Sequence, residues 1–211
     1  MLIFFSTYKS VIYDANCIIY YCFKTELNSK NGTLVVIDSP PYTDITRNLT
    51  QYLINRKIKI RTILGVFNEA NEEVLSMVIR QRITDEHLRR ELGLVHGEKF
   101  SEDIELKLNK KLRQKVNKMR YENWFELDER YTPDLLSLTG IRKFFNERES
   151  SFKYERIPSH NDITLILYSK NTVLPLISND GHICNFREDL EKMGYTYKII
   201  PLQDCIKENL Q

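Results

Sequence analysis

Four carboxylates far apart in the chain, Asp14, Glu69, Asp162 and Asp180, each stand beside an apolar segment with the composition of an α/β core. Val11-Ile12-Tyr13 is β-branched and aromatic, reads as a short buried strand, and ends on Asp14. Val173 to Ile177 reads the same way and ends at Ser178-Asn179-Asp180-Gly181. Glu69 and Asp162 fall in what read as first turns of helices, Asn68-Glu69-Ala70-Asn71-Glu72-Glu73 and Ser159-His160-Asn161-Asp162. If the strands are parallel, their carboxyl ends share one edge and all four acids converge there. Close like charges raise one another's pKa and oppose folding, so such a set calls for a cation. Oxygen ligands without neighbouring histidine or cysteine suit Mg²⁺ or Mn²⁺ and argue against zinc. Magnesium keeps bound water, which can be activated to attack a phosphodiester. The chemistry implied is metal-assisted hydrolysis of nucleic acid. Each acid also has a plainer reading. Asp14 can cap a helix over residues 16 to 22, Glu69 and Asp162 can answer a helix dipole or complete a cap, and Asn179-Asp180-Gly181 can be a turn.

The elements that must position these residues alternate between strand and helix. Strands are expected at about 10–14, 33–37, 58–64, 152–157, 173–177 and 196–200, with residues 2–6 as an edge strand or leader and 24–32 as a loop. The 33–37 run is stopped at once by Ser39-Pro40-Pro41, and the pattern does not place it in the sheet. Helices are expected from a cap at Thr43 or Asp44 to about Asn55, from Asn68 onward, from Thr132-Pro133 with Leu135, Leu136, Leu138, Ile141, Phe144 and Phe145 on its buried side, over 159–169 and over 186–193. Residues 84–130 are charge-rich and read as a helical hairpin. Its long arm carries Ile104, Leu108, Leu112, Val116 and Met119 on one face, and Lys107, Lys110, Lys111, Arg113, Lys115 and Lys118 elsewhere. Those cations are either a solvated face or a surface for nucleic-acid phosphates. Tyr121, Trp124 and Phe125 read as core or dimer packing ahead of base stacking. The expected architecture is a three-layer α/β/α fold with a central parallel sheet, forming a single domain over 1–211 with a helical insertion at about 85–130.

The 211 residues are enough for one substantial core, and 31 basic against 29 acidic residues give +2, so net charge does not announce nucleic acid. The four cysteines, at 17, 22, 184 and 205, have no CxxC spacing and read as reduced core thiols of a cytoplasmic protein. No apolar stretch approaches the length of a membrane span, so no membrane partner is expected.

In the order and placement of its motifs the chain resembles the PIN-domain family of nucleases. The matching pieces are Val11-Ile12-Tyr13-Asp14-Ala15-Asn16, Val66-Phe67-Asn68-Glu69, Asp162-Ile163-Thr164-Leu165-Ile166 and Leu176-Ile177-Ser178-Asn179-Asp180. The resemblance implies a PIN-like fold and a Mg²⁺- or Mn²⁺-dependent endoribonuclease that leaves a 5′-phosphate and a 3′-hydroxyl. Asp14, Glu69, Asp162 and Asp180 carry over as its acidic site, with Asp14 and Asp162 as direct ligands. Asn16 and Ser178 carry over as supporting residues, and Glu73, one turn beyond Glu69, is the alternative to it. The family also implies RNA as substrate, a homodimer, and an antitoxin partner if the chain is of the VapC toxin type. The chain is longer than those toxins, which leaves RNA processing open. Two other readings stand beside it. One is a non-catalytic nucleic-acid or protein-binding module that uses the basic hairpin. The other is a phosphatase or nucleotide enzyme, which lacks support because no Gly-rich loop follows the first strand.

Overall fold

The computed structural model describes residues 5, 7–23, 25–28, 34–37, 41–72, 102–148 and 157–205. In chain order the elements are β1 (Ser10–Tyr13), α1 (Ala15–Cys22), β2 (Thr25–Asn28), β3 (Leu34–Ile37), α2 (Tyr42–Asn55), β4 (Lys59–Ile63), α3 (Leu64–Glu72), α4 (Glu102–Met119), β5 (Phe125–Asp128), α5 (Leu135–Asn146), α6 (His160–Thr172), β6 (Pro175–Ser178), α7 (Gly181–Cys184), α8 (Arg187–Lys192) and β7 (Lys198–Pro201). A 3₁₀ turn, Leu202–Cys205, follows the last strand.

The central sheet has five strands in the order β5-β4-β1-β6-β7, all parallel. From β1 the chain builds outward through β4 to β5, then crosses back to place β6 on the other side of β1 and β7 beyond it. Right-handed crossovers therefore put α1 to α4 on one face and α5, α6 and α8 on the other. Within the first group α1 packs on α2, α3 and α4, and in the second α5 packs on α6. This is the expected three-layer α/β/α arrangement. The direction of building reverses between β1 and β6, and the crevice beyond the carboxyl ends at such a point is where open α/β sheets bind ligands.

β1 is anchored by side chains from α2 and from β4. Val11, Ile12 and Tyr13 are fully buried, and the Tyr13 hydroxyl lies 3.0 Å from Thr50 Oγ1 of α2. Thr62 Oγ1 of β4 donates to the Tyr13 carbonyl at 3.0 Å. Burial pushes the Tyr13 phenol far above its ordinary pKa, so it serves as a neutral hydroxyl.

Several expected boundaries move. Thr25–Asn28, read as loop, is a strand that pairs antiparallel with β3, so the run at 34–37 belongs to a separate two-stranded sheet. Helix α2 begins at Tyr42 after Pro41, with no side-chain cap; Thr43 faces the core and Asp44 falls in the first turn. Helix α3 starts at Leu64, directly out of β4, because Val66, Phe67 and Ala70 bury against the core; Glu69 therefore lies in its second turn. Phe125–Asp128, placed within the insertion, is the edge strand of the central sheet, and α4 belongs to the crossover into it. The cap of α5 is Asp134, whose side chain accepts from Ser137 N at 2.8 Å. Leu135 and Leu136 face solvent at 75% and 85% exposure, so the buried side of that helix begins later, with Ile141, Phe144 and Phe145. Val173 is the C-cap of α6, and β6 begins at Pro175. Phe5 is helical and buried. The other arm of the hairpin, the rest of 2–6 apart from Phe5, and the strand at 152–156 lie outside the described residues. Among the described residues no helix is long and apolar enough to cross a membrane.

Val173 closes α6 in the left-handed region, at φ 54°, which costs an L residue about 1 kcal/mol or more and a β-branched one most. Its side chain is 57% exposed, so little packing is lost on truncation. Val173→Gly should raise stability by roughly 0.5–1 kcal/mol, about 2 °C in Tm, read by thermal unfolding.

Candidate functional site

Asp14 follows β1 and is the N-cap of α1; its side chain accepts from Cys17 N, Oδ1 at 2.7 Å. The other oxygen, Oδ2, accepts from Ser178 Oγ at 2.5 Å and from Asn179 N at 3.1 Å. The parallel register sets this up, since Tyr13 pairs with Ile177 and Asp14 N donates to Ile177 O, which brings Ser178 level with Asp14. Asp14 is only 2% exposed. Burial raises its pKa above the ordinary carboxylate value, the Ser178 and Cys17 hydrogen bonds oppose that rise, and the charge on Asp180 adds to it.

Asp180 follows β6 and is the N-cap of α7, accepting from His182 N at 2.6 Å. Its own N–H donates to Ser178 Oγ at 3.0 Å. His182 Nδ1 stands 3.3 Å from Asp180 Oδ1, an ion pair when the imidazole is protonated. Ser178 thus connects two acids: its hydroxyl donates to Asp14 and accepts from the backbone of Asp180.

Asp162 completes a capping box at the start of α6. Asp162 N donates to Ser159 Oγ at 3.1 Å, and Ser159 N donates back to Asp162 Oδ2 at 2.9 Å. Burial comes first among the causes that lift its pKa to about 7; the charges of Asp180 and then Glu69 push the same way. Glu69 is half-buried on α3 and accepts from Asn161 Nδ2 at 3.0 Å. Asp14, Asp180, Asp162 and Glu69 are therefore linked in that order by mutual repulsion over the carboxyl edge, at the point where the building direction reverses.

Among the described residues no three His, Cys, Asp or Glu side chains are grouped to hold one ion. The capping bonds engage Asp162 Oδ2 and Asp180 Oδ1 and leave the second oxygen of each outside them. Asn16 is half-buried in the first turn of α1 and makes no hydrogen bond to the four acids. Glu73 lies outside the described residues. On α4, Lys110, Lys111, Arg113 and Lys118 are exposed, whereas Lys115 turns inward and donates to Cys22 O at 3.2 Å. Of Lys107 only the backbone is described.

Three contributors escape a reading of the chain alone. Asn161 holds Glu69, Gly65 makes room for Asn161, and His182 faces Asp180. A Cβ at Gly65 would stand 2.4 Å from Asn161 Oδ1. The signal for this close approach is a lone glycine inside the apolar run Ile63-Leu64-Gly65-Val66-Phe67. Arg142 Nη2 and His160 Nδ1, 3.0 Å apart, tie α5 to the first residue of α6.

No family model, curated protein or solved structure matches the chain. The site therefore rests on its own geometry.

Because the folded-state pKa of Asp162 lies above its unfolded value, the folded state keeps a proton that the unfolded chain has released between about pH 4 and 7. Stability should fall as pH rises through that window and level off above it, by up to about 4 kcal/mol. Thermal melts of Asp162→Asn, which keeps a cap acceptor, should show a visibly shallower decline between those pH values than the wild type. Ser178→Ala removes a donor from buried Asp14 and should cost about 1–3 kcal/mol in urea unfolding, with an unchanged m-value.

Proposed function

We propose that the chain is a divalent-metal-dependent nuclease that hydrolyses phosphodiester bonds in RNA, with Asp14, Asp162, Asp180 and Glu69 as its acidic site. The observation that carries this reading is the gathering of acids at the carboxyl edge, where burial first, and then the charges of Asp180 and Glu69, lift Asp162 to about 7. A set held this way has a built-in deficit of positive charge. Its donors are all oxygens, which suits Mg²⁺ or Mn²⁺, and Mg²⁺ needs only one or two carboxylates when waters complete its shell. Asp162 and Asp180 would contribute the oxygens outside their capping bonds, beside Asp14. When bound, the ion would supply an acidified water and neutralise charge on the attacked phosphate. Ser178 orients Asp14, and Asn161 orients Glu69. The resemblance of the four motifs to those of PIN nucleases supports the choice of RNA as substrate.

A second reading draws on a different observation. Asp14, Asp162 and Asp180 all act as caps or capping-box partners, a sufficient structural role for each, while Lys110, Lys111 and Arg113 are exposed on one helix. On that reading the chain binds nucleic acid without cutting it.

The two separate cleanly. Purified protein with single-stranded RNA and Mn²⁺ should cleave, EDTA should stop it, and Asp14→Asn should reduce the rate by at least about 10³-fold. Substituting Lys110, Lys111 and Arg113 together should weaken substrate binding and leave single-turnover cleavage at saturating RNA nearly intact. Metal-independent binding lost only in the triple variant, with no cleavage by the wild type, would establish the second reading.

A further inference from the structure

A cavity of about 190 Å³ opens on the side of the molecule away from the acids, lined by Tyr21, Arg47, Lys115, Lys118, Glu122 and Trp124 among others. Helix α1 sets the separation. It leaves the carboxyl edge at Asp14 and runs back for eight residues, roughly 12 Å, to Cys22. Trp124 immediately precedes the first residue of β5, so the cavity lies toward the amino edge of the parallel sheet.

Its lining combines three cations with one acid, Glu122. Two of the cations are fixed in place: Lys115 Nζ donates to Cys22 O and Arg47 Nη1 to Phe23 O, both at 3.2 Å, where α1 ends. Their field is felt locally. Burial pushes the Cys22 thiol up to about 12, and Lys115 and Arg47 both pull the other way. Lys118 is exposed in the last turn of α4. Tyr21 and Trp124 pack edge to face, with ring centroids 5.4 Å apart, and both are half-buried, so part of each ring borders the opening.

We propose that this cavity is a binding site for a phosphate monoester, with the dianionic head between Arg47, Lys115 and Lys118 and the organic part against Trp124 and Tyr21. Charge and size agree. Three cations against one acid leave an excess of two positive charges, the complement of a dianion. At about 190 Å³ the cavity is smaller than the roughly 300–1,000 Å³ of pockets for drug-sized ligands, which suits a small phosphate ester. That chemistry is shared by a free sugar or nucleoside monophosphate and by the 5′-phosphorylated end of an oligonucleotide. The assignment does not depend on the acidic edge being catalytic.

Trp124 is the single tryptophan of the chain, so its fluorescence reports on the cavity directly. The full chain should be titrated with ribose 5-phosphate, uridine 5′-monophosphate and a 5′-phosphorylated short oligoribonucleotide, each against its dephosphorylated counterpart. A saturable change with the phosphorylated forms alone supports the site. Equal affinity for mononucleotide and oligonucleotide marks a small-molecule ligand, and tighter binding of the oligonucleotide marks an RNA end. Lys118→Glu should weaken binding by about tenfold or more with Tm unchanged, Lys118→Arg should retain it, and Asp14→Asn should not alter it. No saturable change up to about 10 mM, an equal response to dephosphorylated forms, or undiminished binding by Lys118→Glu would overturn the assignment.

Discussion

A carboxylate removed from water has to be met by hydrogen-bond donors or give up its charge, and Asp14 is met by three: the Cys17 amide, the Ser178 hydroxyl and the Asn179 amide. These donors come from α1 and from the end of β6, more than 160 positions apart in the chain. Their meeting requires β1 and β6 to be neighbours in one particular register, since a shift of one residue would take Ser178 away from Asp14 and exchange the two buried faces of the strand. Much of the interior serves that register. Tyr13 is tied to Thr50 and Thr62, and β6 is buried along its whole length.

From this fixed carboxylate the other acids follow through helix starts. Helices α1 and α7 begin at the carboxyl edge with an acid accepting from an amide of their first turn, and α6 begins there with a capping box in which Asp162 accepts from the amide of its cap, Ser159. Helix N-termini favour negative charge, which offsets part of the cost of crowding. At Asp162 burial, and after it the charges of Asp180 and Glu69, still lift the pKa to about 7. A fold needing only caps could use serine or asparagine at these positions at little cost in stability. The use of several interacting carboxylates is what turns a set of caps into a candidate cation site. The cavity by Trp124 is its electrostatic opposite at the other edge, where cations gather around the carbonyls that end α1.

The parallel sheet was legible because its central strands are short, β-branched and apolar, a pattern with little competition from helix. Asp14 and Asp180 could be placed for the same reason, since each follows such a strand. The start of α3 was not legible: Ile63 to Phe67 is continuously apolar apart from Gly65, and nothing local marks where strand gives way to helix. β2 was hidden because Thr25-Glu26-Leu27-Asn28 is mostly polar and becomes a strand by pairing with β3. Leu135 and Leu136 matched a helical stripe but sit in a first turn that projects past the core, so periodicity alone overstated the buried face. The Asn161–Glu69 contact joins two helices from opposite faces, a pairing no local pattern encodes.

The proposal that the acids at the edge between β1 and β6 hold a divalent cation makes a direct structural prediction. Anomalous diffraction from crystals soaked in Mn²⁺ tests it most directly. The claim predicts a peak within coordination distance of Asp14 and of at least one of Asp162 and Asp180, at about 2.1–2.3 Å from their oxygens. An edge without any such peak, with the three carboxylates still in their capping bonds, would contradict it and leave them as structural caps.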